Sequence, residues 1–261
     1  MLLIDSTELR GKPVFRAELL KLKRSTTWLI ALILPVLAVV TGTINLANNT
    51  ETLDTGWQSF TSQVTLFYGL LFYSMGIALL AATAWRMEHR GTNWNLLLTT
   101  TRKPLALVVA KIAAITVPVA FMQVVLVIGT VVSGVVFLDL DGAIPWQFVL
   151  VGVISVVAAL PLIAVQSLLS MLLKSFAAPV AICLLGCVIG VASVTSVALR
   201  PLSFVLPQGI NTRALNLGST ALAGSGGLTV GSALPLIGTA VAIAALFSLA
   251  TVALIRAVKL R

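Results

Sequence analysis

Six long apolar runs alternate with polar breaks along this chain. They occupy residues 28–47, 60–84, about 113–137, 148–173, 176–199 and 234–255. Each is close to the roughly 20 residues that a helix needs to cross about 30 Å of hydrocarbon. Runs this long and this apolar predict membrane-spanning helices rather than strands. The third run belongs to a longer stretch, residues 105–138, with Lys111 near its start. A lysine at mid-bilayer costs on the order of 2.5–3.5 kcal/mol. The helix is therefore expected to protrude and to carry the Lys111 ammonium out to the interface. The predicted fold is all-α: a polytopic membrane protein of six transmembrane helices in a single transmembrane domain, residues 1–261.

The polar breaks are not alike. Residues 13–25 are amphipathic: Phe15, Leu19 and Leu22 share one helical stripe, while Arg16, Lys21, Lys23 and Arg24 lie largely off it. Pro13 suits a first helical turn, and a basic amphipathic helix before a span is expected in an anionic membrane interface. Residues 86–103 form a longer polar loop with Arg86, Glu88, His89, Arg90, Arg102 and Lys103. Within it Thr92, after the flexible Gly91, can N-cap a short helix. Trp94, Leu97 and Leu98 then fall on one face of that helix, and the loop reads as a handle for a soluble partner.

Residues 200–234 are rich in Gly, Ser and Asn and broken by Pro201 and Pro207, yet half apolar. Phe204, Val205, Leu215 and Leu217 fit an outer cap that re-enters the membrane under a cover of protein or water. They also fit a mobile surface loop, and both readings stay open. The other breaks are plain. Residues 48–59 hold Glu51 and Asp54 but no Lys or Arg, residues 139–146 make an acidic turn, and Lys174-Ser175 is a tight turn. Gly186-x-x-x-Gly190 in the fifth run offers a small-residue packing face.

Composition agrees: 59% of residues are hydrophobic and 10% charged, against roughly 25% charged in a soluble domain. Charge adds the orientation. With the breaks taken alternately, 15 of the 17 Lys and Arg fall on one side, leaving Arg200 and Arg213 on the other. The positive-inside rule then places both termini and the 86–103 loop in the cytoplasm, N-in and C-in. Trp28, Trp57, Trp85, Trp94 and Trp146 lie at span ends or in loops, as interfacial belts require. The net charge of +9 reflects this bias and does not point to nucleic acid. Cys183 and Cys187, four apart in one apolar run, read as small core residues.

Much chemistry is excluded. The chain has no G-x-x-x-x-G-K-[ST] loop, so no nucleotide site of that kind is expected, and with one histidine no metal cluster is either. No span centre carries Asp, Glu, Lys or Arg, the groups that ion-coupled carriers place at the midplane. Three function classes remain: a transport subunit driven by a partner, a non-transporting membrane anchor or sensor partner, and a secondary carrier or channel.

The arrangement resembles a known family. A basic helix, Ala17-Glu18-Leu19-Leu20-Lys21-Leu22-Lys23-Arg24, precedes the first span. After the second come Glu88, then Gly91-Thr92 and Leu96-Leu97; Arg102 and Lys111 follow around the start of the third. In these features the chain is similar to permease subunits of type-2 (exporter-class) ATP-binding-cassette transporters, among them the bacterial lantibiotic-immunity and bacitracin-type permeases. The proline that precedes the basic residue in that family is absent; Thr100 and Thr101 stand there and Pro104 follows. The resemblance implies a connecting helix at 13–25 and a coupling helix in the 86–103 loop. Glu88, Arg90, Gly91, Thr92, Trp94, Leu97 and Leu98 would then seat on a separate ATPase. It implies re-entrant helices at 200–234, between spans five and six. It also implies ATP and magnesium bound by the ATPase subunits and none by this chain. A second permease, identical or homologous, membrane lipid and a hydrophobic or peptide substrate would be the other partners. The expected location is a bacterial cytoplasmic membrane, and the chain itself is not expected to be an enzyme.

Overall fold

Each apolar run is a helix in the structure, a computed structural model that describes residues 8–23, 25–89 and 103–259. Helix α1 (Glu8–Lys23) precedes α2 (Thr27–Asn48), the first span. The second span is α3 (Trp57–Phe67), a π-helical turn (Tyr68–Phe72) and α4 (Tyr73–His89) in one continuous piece. The third is α5 (Pro104–Val136), and the fourth is α6 (Trp146–Ala158) followed by α7 (Leu160–Leu172). The fifth is α8 (Ala177–Thr195). A short 3-10 turn (Arg200–Phe204), helix α9 (Pro207–Leu215) and a second 3-10 turn (Ala223–Ser225) lead to the sixth, α10 (Val230–Lys259). Among the described residues, six helical units are long and apolar enough to cross a membrane, as the pattern predicts.

Most boundaries follow local chemistry. Pro104 opens α5 at a first-turn position, where its missing N–H leaves no bond unmade. Pro161 divides the fourth span, because it cannot donate to the carbonyl four residues back. Helix α1 departs from expectation: it begins at Glu8, so Pro13 lies inside it rather than in its first turn. Its inward face nevertheless follows the predicted stripe. Leu22 is buried, Phe15 and Leu19 pack against the core, and Arg16 and Lys23 are exposed. Glu18 joins that inward face, which the stripe of apolar residues alone did not include.

The second and fourth spans form the centre. Each is 61% buried within the bundle, against 22% for the sixth, which therefore stands at the edge. Their central position explains why α3 is polar and buried together: Ser59, Thr61, Ser62, Gln63 and Thr65 all face protein. Thr61 and Thr65 donate back to Trp57 and Thr61 carbonyls, and Gln63 accepts from Asn45 of α2 at 2.8 Å. Thr43 and Ser133 tie α2 to α5 at 2.6 Å, and Trp28 meets Phe121 edge-on at 5.4 Å. Cys183 and Cys187 are buried free thiols in α8.

The 200–234 segment is the largest gain over the sequence reading. Eight of the nine residues of α9, from Pro207 to Leu215, are buried. Of the predicted cap residues, Leu215 and Leu217 are buried and Phe204 is half-buried, while Val205 is 63% exposed. The Gly186-x-x-x-Gly190 face is filled by Gln208 and Gly209 of α9; a Cβ at Gly190 would fall 3.0 Å from the Gln208 and Gly209 backbone.

Candidate coupling site

Four charged side chains from three helices close on one another where α1, α4 and α5 meet. Lys111 Nζ donates to Glu18 Oε2 at 2.8 Å and to Glu88 Oε1 at 3.0 Å. Lys21 Nζ donates to Glu18 Oε1 at 2.7 Å and to Glu88 Oε1 at 2.8 Å. The result is an alternating Glu–Lys–Glu–Lys ring of zero net charge. Trp85 completes it, with its ring 4.8 Å from Lys111 Nζ.

Sequence spacing builds the ring. Glu18 and Lys21 are three apart on α1 and share a face, as do Trp85 and Glu88 on the last turns of α4. Lys111 lies two turns into α5, beyond the Pro104 start, and so reaches the same level. Glu18, Glu88 and Lys111 are 5%, 3% and 1% exposed, while the Lys21 side chain is 36% exposed. Desolvating such charges costs several kcal/mol per ion, which pairing offsets only when the geometry is good and every partner is present. Glu88 illustrates the balance, since a carboxylate in a helix's last turn faces the negative end of the dipole. Two ammonium groups at 3.0 Å or less compensate it. Burial alone would lower the Lys21 pKa, but the hydrogen bonds and charges of Glu18 and Glu88 outweigh it and hold the ammonium above the ordinary lysine value.

Two expectations are corrected here. Lys111 does not snorkel to the interface; two buried carboxylates and an indole supply locally what headgroups would have supplied. Glu88 is not presented at a surface for a partner; both lysines take its carboxylate inside the fold. Of the predicted coupling residues, Glu88 alone lies among the described residues. Arg90, Gly91, Thr92, Trp94, Leu97 and Leu98 lie outside the described residues, as does Arg24. Glu18 and Trp85 are the members that the sequence reading did not assign. A signal for Glu18 exists: it sits three residues after Phe15 and four before Leu22, on the inward stripe, where a carboxylate requires a cation.

A second buried polar contact lies roughly 28 Å away along the second span. There Thr212 Oγ1 of α9 donates to the Gly69 carbonyl of the π turn at 2.9 Å. Asn216 Nδ2 donates to the Thr212 carbonyl at 2.9 Å and lies 3.5 Å from the Thr65 carbonyl. Gly69 is required by this approach, since a Cβ there would fall 2.8 Å from Asn216 Nδ2. On the outer side of α9 the Arg213 guanidinium lies over the Phe204 ring at 4.1 Å and donates to Ser203 Oγ at 3.1 Å.

Residues 14–190 match the family model described as ABC-2 family transporter protein, a stretch that holds α2 to α7 and all four members of the charge ring. No curated protein and no solved structure matches the chain.

Proposed function

We propose, from the premise that this chain belongs to the ABC-2 transporter family, that it is the membrane-spanning permease of an ATP-driven exporter. A separate ATPase, holding magnesium and ATP, would seat on the 86–103 coupling segment. A second permease copy or homologue would complete the pathway. The substrate would be amphipathic or hydrophobic, with antimicrobial peptides of the lantibiotic type the narrowest class the sequence supports, and the setting a bacterial cytoplasmic membrane.

The observation that carries this reading is the charge ring at the root of the loop. Glu88 lies at the start of the 86–103 segment and is bonded to Lys21 of α1 and Lys111 of α5. A displacement of the loop by a partner therefore reaches three helices at once, without bending a side chain through lipid. Packed elements with discrete arrangements transmit such rigid shifts. The uncharged centres of the spans can rock without carrying buried charge into hydrocarbon.

The test is purification of the chain from its native membrane, followed by reconstitution in vesicles. An ATPase subunit should co-purify, and ATP should drive export of an amphipathic test peptide. Leu97→Asp should abolish both while leaving insertion intact. Flux driven by an ion gradient without ATP would instead make the chain a secondary carrier. A stable kinase complex without flux would make it a sensor partner.

A further inference from the structure

The loop root carries a second feature that the charge ring does not use. On the other face of α4, Arg86 and His89 meet the α7–α8 turn. His89 Nε2 is 2.8 Å from the Ser170 carbonyl, and the Arg86 guanidinium lies 5.4 Å from the Phe176 ring centre. With Lys174 and Ser175 these residues line a small pocket of about 10 Å³ free volume, room for one oxygen atom. Ser170, 3% exposed, is among the lining residues, and its buried Oγ has no hydrogen-bond partner. The N-terminus of α8 adds its dipole: Ala178 N donates to Ser175 Oγ at 3.3 Å, and α8 runs 19 residues behind it. Among the described residues, no carboxylate lies within ion-pair distance of Arg86 or Lys174; the four ion pairs all belong to the ring.

We infer that this pocket binds the phosphate of a phospholipid headgroup. One phosphate oxygen enters to accept from Ser170 Oγ, and Arg86 and Lys174 hold the remaining oxygens at the rim. Charge complementarity requires an oxyanion, because the site offers two cations, a buried hydroxyl donor and a helix N-terminus. The neighbouring surface selects a lipid over an acidic protein segment. Leu172, next to the pocket on α7, is 54% exposed and apolar, and Ala177 at the start of α8 is exposed. A ligand there has its anion at the rim and apolar chains alongside Leu172. The seat admits a single oxygen. A lipid so held would lie against both the loop root and the turn between the fourth and fifth spans.

The experiment is native mass spectrometry of the delipidated full chain titrated with dioleoylphosphatidylglycerol, with dioleoylglycerol and inorganic phosphate as separate arms. Each charge near an anionic headgroup contributes about 1 kcal/mol. Arg86→Gln and Lys174→Gln should therefore each weaken phosphatidylglycerol binding about fivefold, and together about 25-fold. Lys103→Gln, an exposed control, should leave it unchanged. Dioleoylglycerol should not bind, and inorganic phosphate should compete poorly. Equal affinity in the wild type and the double variant would overturn the assignment. So would loss of a co-purifying ATPase from the double variant with lipid binding intact, which would make the pocket a seat for an acidic protein segment.

Discussion

At the loop end of the second span four charges hold three helices together, whereas 28 Å along the same span neutral groups hold α9 against a π turn. The first contact has full charges at 2.7–3.0 Å, with Glu18, Glu88 and Lys111 buried and only Lys21 reached by solvent. The second has a hydroxyl, an amide and a glycine whose missing side chain leaves room for Asn216. Ionic contacts in a dry interior are strong and intolerant of loss, because any member removed leaves an uncompensated charge. Neutral contacts contribute about 0.5–1.5 kcal/mol each and can re-form with a shifted partner. One end of the span is thus tied to its neighbours by contacts that are costly to break, and the other by contacts that exchange at lower cost.

The largest effect should come from breaking the ring. Lys111→Met leaves two buried carboxylates with one half-exposed lysine, and should lower stability by about 3–5 kcal/mol. Thermal unfolding in detergent reads this directly, and a wild-type midpoint would show that the ring is not a stability element. Replacing Glu18, Lys21, Glu88 and Lys111 together by Met sharpens the point. Apolar replacement of a whole buried ion cluster is close to neutral, so the quadruple variant should regain most of the lost stability. It should still lose substrate-stimulated ATP hydrolysis in the reconstituted complex, because the helices then touch without being bonded. Retained stimulation would refute a coupling role.

At the neutral end the effects are smaller. Gly69→Ala places a methyl 2.8 Å from Asn216 Nδ2, an overpacking expected to cost about 1–3 kcal/mol. Asn216→Ala should relieve it, with a coupling of about 0.5–3 kcal/mol in a double-mutant cycle. Additive effects would mean that α9 does not press on the π turn. Thr212→Val, which removes the donor to the Gly69 carbonyl, should cost about 1 kcal/mol. A loss as large as that of Lys111→Met would erase the contrast between the two ends.

The six spans are legible in the sequence because a bilayer imposes one length and one apolarity on every crossing helix. Contacts between the spans are not legible from that signal. Nothing in the pattern near Lys111 distinguishes a snorkelling lysine from a paired one, since the difference lies in Glu18, 93 residues earlier on another helix. The apolar positions Leu215 and Leu217 forecast a buried segment, and the structure adds what decides it: glycines 186 and 190 of α8 leave room for Gln208. Val205 is exposed, and apolarity alone does not mark it as buried, because single apolar residues are common on protein surfaces. The π turn is invisible to hydrophobic periodicity, because it inserts a single residue's worth of offset into an otherwise regular span.

The smallest predicted effect tests the one ring member that solvent reaches. The Lys21 ammonium is held above the ordinary lysine pKa by Glu18 and Glu88, against the lowering effect of burial. A group whose folded pKa is raised gives its full stabilisation below its unfolded pKa and loses it as pH rises through the folded value. Lys21 therefore contributes fully at neutral pH and progressively less in the alkaline range above the ordinary lysine value. With the side chain 36% exposed, solvent screening limits that contribution to about 1 kcal/mol or less. Lys21→Met should be slightly less stable than wild type at pH 7, and the gap should close as the pH is raised past the lysine range. Lys21→Arg, which keeps its charge there, should keep its stability relative to Lys21→Met. A gap between wild type and Lys21→Met that stays constant across the alkaline titration would mean that Lys21 acts through packing of its methylene stem. Lys111, buried and doubly bonded, would then carry the ionic link alone.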